Sequence, residues 1–375
     1  MLFTSGRGGF LRFANFRLIL IALTIGCTGG TGGKFSLESG PENRFQTAGG
    51  RILGMDFVDP SESGDLVLNL GFAHSAAVGA LAVNLKWTDI ETGPMVYTDP
   101  FGAFALLNEY LPREGFLLNL TITAVDRTQL TVPADLTGVT FDDPAFAARY
   151  NAMLAYVESQ MPSVRIVYLG LGNEVDRYTP ANVSFWSEYA GLLAQVRNYI
   201  GPVEPGVKVG ASATFMGLVQ SRKDDMKTLN MQSDIVAFTY FPVNADFTVK
   251  PARAMEAELP ALFTVYPTGE VSLQETGFPS GALNGSSDDR QSVFVRELFR
   301  VWDSEITRWK ITNLIRLHEW SSTRAQAVAS QAPYSSSHPV VVEFLRTLGL
   351  RTYAAGGTDK AALSVLRIET SMRGF

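Results

Sequence analysis

Eight apolar runs recur along the chain, each short enough for a strand and separated from the next by room for a helix. They are "RILGMDFV" (51–58), "ALAVNLKW" (80–87), "GFLLNLTIT" (115–123), "VRIVYLGLGNE" (164–174), "VKVGASATF" (207–215), "DIVAFTYFPV" (234–243), "VSLQETGFPS" (271–280) and "ITNLIRLHEW" (311–320). Near-continuous apolar runs of this length suit strands of a parallel sheet covered on both faces, where both sides of the pleat are dry. Helical spacing lies between several of them. Asp142-Asp143-Pro144 caps a segment in which Phe146, Tyr150, Met153, Leu154 and Val157 share a face. Asn182 precedes Phe185, Tyr189, Leu192, Leu193 and Val196, and Asp288-Asp289 precedes Val295, Leu298, Phe299 and Trp302. A last helix is expected over Pro339–Leu348, with Val342, Leu345 and Leu348 on one side. The stretches after the first, second and sixth runs are hard to type, "SESGDLVLNLGFAHSAAVG" most of all. Eight strands alternating with helices predict an α/β protein, a (β/α)8 TIM barrel in a single domain.

The length agrees with that architecture. The chain has 375 residues, and one such barrel takes about 250 plus insertions. Hydrophobic residues make up 46% and charged residues 18%, enough for a large core. A net charge of −6 argues against a nucleic-acid or anionic-membrane surface and suits a neutral substrate.

The first residues read as a targeting segment instead of fold. Arg7, Arg12 and Arg17 precede "LILIALTIGC" (18–27), too short for a permanent membrane span and shaped like a signal-peptide core. It ends at Cys27, the only cysteine of the chain. Thr24-Ile25-Gly26-Cys27 resembles a bacterial lipobox, with Thr24 where that motif usually has Leu. The resemblance implies that the Cys27 thiol receives lipid and becomes the mature N-terminus. "TGGTGG" (28–33) would then be a tether. The alternative is an ordinary signal peptide that happens to contain a cysteine. The expected division is 1–27 signal, 28–45 linker and 46–375 barrel, exported across the cytoplasmic membrane, lipid-anchored and monomeric.

In a TIM barrel the chemistry sits at the C-terminal ends of the strands, so the residues there are the candidates. The second run ends in Lys86-Trp87, with Asp89 beyond. The fourth ends in Asn173-Glu174 and the sixth in Tyr240-Phe241. The seventh ends in Glu275-Thr276-Gly277-Phe278, and the eighth in His318-Glu319-Trp320. Glu174 and Glu275 thus stand at two strand tips of one barrel. Each alone has a plainer reading, as a solvated loop acid or an ion-pair partner of a nearby cation.

"GNE" at the end of the fourth strand and "QETGFPSG" at the end of the seventh resemble the retaining glycoside hydrolases that keep an acid on strand four and a nucleophile on strand seven. "ETGFPSG" is similar to the nucleophile segment of plant and fungal β-1,3-glucanases. The wider pattern is similar to endo-β-1,4-galactanases and cellulase-type families. The resemblance implies that Glu174 is the general acid/base, Glu275 the nucleophile, and Asn173 the partner of a sugar 2-hydroxyl. It further implies that Tyr240 hydrogen-bonds the nucleophile and that Trp320 floors the cleaved sugar. Trp87, Tyr240, Phe241, Phe278 and Trp320 would line the cleft with flat apolar platforms. Two features depart from the pattern. The Arg of strand one or two in cellulase-like members has no counterpart, and strand three ends without a hydroxyl-reading His or Asn.

Retention requires two carboxyls about 5–5.5 Å apart, one protonated and one ionised. Opposed strand ends hold such a pair rigidly, and the proximity of two acids raises one pKa. His74, His318 and His338 lack ligand spacing, so no metal or other cofactor is expected. Three readings follow: a retaining hydrolase of β-linked oligo- or polysaccharides, a glycan-binding lipoprotein on the same barrel without catalysis, and a lyase acting through Lys86. The last would need phosphate or metal ligands that the sequence does not offer.

Overall fold

The structure, a computed structural model, describes residues 48–56, 66–331, 334, 336, 338–353 and 357–375. The chain divides into two units, Met1–Gly40 and Pro41–Phe375, and every described residue belongs to the second. Cys27, the expected signal and the expected tether lie outside the described residues.

All eight apolar runs form strands. They are β1 (Ile52–Asp56), β2 (Ala80–Lys86), β3 (Leu117–Asp126), β4 (Ile166–Asn173), β5 (Lys208–Gly210 resuming as Ser212–Thr214), β6 (Ile235–Tyr240), β7 (Glu270–Thr276) and β8 (Trp309–Ile315). Each pairs in parallel with its sequence neighbour. Strand β5 is interrupted at Ala211: its first half pairs with β4 and its second half with β6. Strand β8 pairs in parallel with β1 and closes the ring. This is the expected (β/α)8 barrel, with two boundary differences. Strand β3 runs three residues past Thr123 to Asp126. Strand β8 stops at Ile315, so His318, Glu319 and Trp320 stand in the loop beyond it.

The α-helices of five or more residues are α1 (Leu66–Ser75), α2 (Ala103–Glu114), α3 (Pro144–Gln160), α4 (Phe185–Val203), α5 (Lys223–Asn230), α6 (Ala254–Glu258), α7 (Pro260–Val265), α8 (Asp288–Ser304), α9 (Ser322–Ala329), α10 (Pro339–Arg346) and α11 (Ala361–Arg373). Helix α3 starts as its sequence predicts. The Asp143 carboxylate accepts from Ala145 N–H at 2.7 Å, Pro144 opens the first turn, and all five expected residues are buried. The stretch after β1 that resisted typing contains α1. Helices α6 and α7 supply short cover after β6, where one longer helix would be ordinary.

Two kinds of interior result from the strand pleat. Outward residues such as Leu53, Leu81, Leu120, Leu169, Phe238 and Leu314 bury against the helices in one continuous apolar shell. Inward, the floor of the lumen is apolar, where Ile52, Tyr168, Ile235, Ala237 and Ile311 meet. Above that floor stand Asn119, Ser212, Gln274 and Asn313, all buried. Barrel lumens are usually filled by branched apolar side chains. This one turns polar toward the end where the candidate acids lie.

Candidate active site

Strand β4 delivers Asn173 and Glu174 through a crowded backbone. A Cβ at Gly172 would lie 2.4 Å from the Tyr189 hydroxyl, so only glycine admits the bond of 2.8 Å that this hydroxyl donates to Leu171 O. Glu174 itself takes a left-handed backbone, φ 44°, a conformation rare for a residue with a side chain. The turn after it is pinned by Asp176, whose carboxylate accepts from the N–H and the hydroxyl of Thr214, both at 2.6 Å. A Cβ on Gly217 would strike that carboxylate at 2.3 Å, which accounts for glycine there. Burial pushes the Asp176 pKa up, against the Thr214 bonds. Asp176 therefore anchors the acidic tip to β5, which leaves Glu174 free to point elsewhere.

Glu174 is gripped on both oxygens. Thr239 on β6 donates its hydroxyl to Oε1 at 2.8 Å. Arg177 Nη1 stands 3.2 Å and Arg127 Nε 3.7 Å from Oε2. Thr239 is also the register partner of Glu275 on β7, so one threonine links the two glutamates. The register slips between Phe238 and Thr239, leaving Gln274 as an extra residue on β7. This bulge lets Gln274 and Glu275, consecutive in sequence, both line the lumen. Glu275 is mostly enclosed. Burial first, then the charges of Glu174, Asp56 and Asp126, push its pKa up to about 7 against the opposing charge of Arg127.

Asn173 is buried between neighbours. Its Oδ1 accepts from Ser212 Oγ at 3.1 Å, and its Nδ2 reaches Asp126 Oδ1 at 3.5 Å. A cavity of about 40 Å³ opens beside it, lined by Asp56, Asn84, Asn119, Ser212, Asn313 and Glu275, among others. That is room for water. The Asn119 amide is only 2% exposed and finds no protein hydrogen-bond partner for either its oxygen or its nitrogen.

No protein-family model and no curated protein sequence matches the chain. Solved structures match its fold. A GH5_18 protein from Bifidobacterium longum subsp. infantis superposes with a TM-score of 0.61 at 13% identity, over 86% of this chain and 79% of that one. An exo-β-1,4-mannosidase from Opitutaceae bacterium strain TAV5 gives 0.62 at 14% identity, over 86% and 60%. A β-1,3-glucanosyltransferase from Rhizomucor miehei gives 0.53 at 13%, over 83% and 98%. The fold is that of the (β/α)8 glycoside hydrolases.

Within this barrel the expected site divides sharply. Glu174, Glu275 and Asn173 converge on the lumen mouth. The aromatic residues largely do not. Trp87, expected on the cleft wall, is fully buried; it packs edge-on to Phe146 and Tyr150 and donates Nε1–H to Glu91 at 2.7 Å. Phe278, also expected there, is 2% exposed and stacked on Phe294 beneath α8. Tyr240 does not bond Glu275. Thr239 points into the lumen, so the next residue points out, and the Tyr240 hydroxyl donates to Glu258 at 2.7 Å. Burial and that carboxylate push its pKa up. Phe241 packs edge-on to Phe344. Trp320 is half-buried, its ring 3.2 Å from the Arg316 guanidinium and 4.7 Å from that of Arg324. His318 is held by Asn69 and the Thr352 carbonyl, with its pKa lowered by burial. Glu319 pairs with buried Lys360 at 2.9 Å.

Five residues at the mouth escaped the sequence reading. Asp126 and Arg127 follow the last apolar residue of β3 and were hidden by ending that run at Thr123. Asp56 ends β1 inside an apolar run. Thr239 has no sequence signal. Tyr334, after α9, feels the charges of Arg127, Glu174 and Glu275, and its pKa is raised chiefly by burial.

Proposed function

We propose that the protein is a retaining glycoside hydrolase of β-linked glycans, with Glu174 and Glu275 as its two carboxyls. The observation that supports this most is the link through Thr239, which ties glutamates from strands four and seven to one lumen mouth. Attack by one carboxylate on the anomeric carbon, with protonation of the leaving oxygen by the other, would give a covalent glycosyl-enzyme. Water activated by the second group would then release the sugar with its configuration kept. Asn173, fixed by Ser212 and Asp126, would meet a sugar hydroxyl beside the pair. Trp320 and Phe241 are the expected aromatic platforms that stay partly exposed.

The resemblance implies Glu275 as nucleophile, which acts only when ionised. With its pKa near 7, kcat/KM should rise as pH increases through about 7. A fall through the same range would reverse the roles and make Glu275 the proton donor. The test is a screen of polysaccharides and aryl-glycosides followed by that pH profile. Proton NMR of the first product then decides the stereochemistry, since an inverted anomer would remove the double displacement. Glu174→Gln should hurt substrates with poor leaving groups far more than activated aryl-glycosides, and equal loss on both would count against Glu174 as the acid.

A second reading has one observation in its favour. The carboxyl that the resemblance makes the donor is gripped by two guanidinium groups, while its partner is the one that tends to keep a proton. A barrel that binds glycans without cleaving them could hold such a pair. Oligosaccharide binding without turnover, and without labelling of Glu275 by a 2-fluoro-sugar, would establish it. For location we propose export and lipidation at Cys27. Cys27→Ser should release the protein from membranes, and unchanged membrane fractionation would refute the anchor.

A further inference from the structure

Arg127 stands where the hydrolase reading needs a cation and where the family resemblance does not supply one. Strand β3 ends at Asp126, and Arg127 is the first residue beyond it. Its backbone is left-handed, φ 53°, as is that of Glu174 across the mouth, φ 44°. Such strain in residues with side chains persists only where the surroundings impose it, and it gathers at functional sites. What imposes it here is visible. The Arg127 N–H donates to the Asn173 carbonyl at 2.7 Å, so the tips of β3 and β4 are stitched at the residue before Glu174. The guanidinium then reaches Glu174 Oε2 at 3.7 Å and Asp126 Oδ1 at 4.0 Å, while its side chain is about 29% exposed.

We propose that Arg127 is the positioning residue of this site: the strained tip of β3 holds its guanidinium against Glu174 and presents the same positive charge to Glu275. This rests on the hydrolase reading only for its consequence in catalysis. The charges that Glu275 faces are Asp56 from β1, Asp126 and Arg127 from β3, and Glu174 from β4. Tyr334 stands beside them from the segment after α9. Strands β2, β5, β6 and β8 bring only Asn84, Ser212, Thr239 and Asn313, all uncharged. Arg316 and Arg324 sit one step further out, acting on Tyr334 and Asp56 respectively. Among the described residues Arg127 is thus the one cation acting on Glu275, beside the three acids Asp56, Asp126 and Glu174. Burial works against its own charge, and Glu275, Asp126 and Glu174 together hold its pKa above the ordinary value. Without it Glu275 would keep its proton further into the alkaline range. With it one carboxyl of the pair can ionise near neutrality while the other stays fixed in place.

The experiment is a titration of the full chain labelled with ¹³C at glutamate carboxyls, with Glu275 assigned by the signal lost in Glu275→Gln. Arg127→Gln should move the Glu275 midpoint upward by about one pH unit or more, as expected for losing an opposite charge nearby. Arg127→Lys should restore most of it. Arg127→Gly removes the charge and the strain together. It should show the same upward midpoint as the Gln variant but a higher melting temperature, because glycine accepts φ 53° without cost. If the midpoint stays put in both the Gln and Gly variants, Arg127 is only a structural residue and the inference fails. The alkaline shift of kcat/KM should follow the NMR midpoint. A wild type that hydrolyses nothing would refute the hydrolase reading, while the carboxyl titration would still decide the role of Arg127.

Discussion

The tips of β4 and β7 and the tips of β2 and β6 end their strands in the same ring, yet they send their side chains to opposite places. Glu174 and Glu275 turn into the lumen mouth, beside Thr239 and Arg127. Trp87 and Tyr240 turn outward into the shell beneath the helices. Charge decides the first case. A carboxylate in the shell would lose its hydration with nothing in return, while the mouth offers a hydroxyl and two guanidiniums. Area decides the second. A tryptophan buries roughly 150–250 Å² in a packed shell, and its polar N–H needs only one partner, here Glu91. The comparison teaches that standing at a strand end nominates a residue for chemistry, but the face of the pleat decides.

The two sets of tips should therefore fail in different ways when altered. The largest effect belongs to Glu275→Gln, which keeps shape and removes the ionisable oxygen. Turnover should drop by about four orders of magnitude, with oligosaccharide binding intact by calorimetry. The same variant should gain stability at alkaline pH. In wild type the folded pKa of Glu275, about 7, lies above the ordinary 4.5. The folded state thus binds more protons between those values, and wild-type stability falls as pH rises from 4.5 through 7. Denaturation curves should show Glu275→Gln overtaking wild type across that interval, and a constant difference would mean the carboxyl is not destabilised by burial.

Trp87→Ala should do the reverse. It opens a cavity in the shell and takes the donor from Glu91 Oε2, whose other oxygen keeps Arg149 and the Met95 N–H, costing about 3–5 kcal/mol of folding stability. Activity per folded molecule should not change. A loss of kcat at a temperature where the variant is fully folded would put Trp87 back at the cleft. Asn173→Ala is the next smaller change and tests the mouth again. It should weaken transition-state binding by a few kcal/mol, visible as a fall in kcat/KM, with little change in melting. If the melting temperature falls and kcat/KM holds, Asn173 only braces β5. The smallest effect is Tyr240→Phe, which removes the hydrogen bond to Glu258 and should cost about 0.5–1.5 kcal/mol of stability. Its pH profile should match wild type, and a shifted limb would restore Tyr240 as a partner of Glu275.

Much of this was open to reading from residue order alone. The apolar runs, the Asp143-Pro144 cap and the facial repeats from Phe146 to Val157 follow from local periodicity, and local periodicity does not need the rest of the chain. Glu174 and Glu275 were legible because each interrupts an apolar run at its end. Asp126 and Arg127 carried the same signal three residues beyond the assumed end of β3, and they were missed through a boundary, the least certain part of such readings. Trp87, Tyr240 and Phe278 were misplaced for a different reason. A run apolar on both faces contains no mark of which face is which.

The order of residues thus determined eight strands, their parallel arrangement around a barrel, and the end of that barrel where acids collect. Those features depend on hydrophobic period and on the handedness common to all such crossovers. Only the tertiary structure decided the rest. The bulge at Gln274 turned two consecutive residues of β7 into one lumen. The left-handed backbones of Arg127 and Glu174 brought a cation from one strand against an acid from another. Tyr334 arrived beside them from a loop far along the chain. Each of these is a contact between segments remote in sequence, and its energy exists only once the ring has closed.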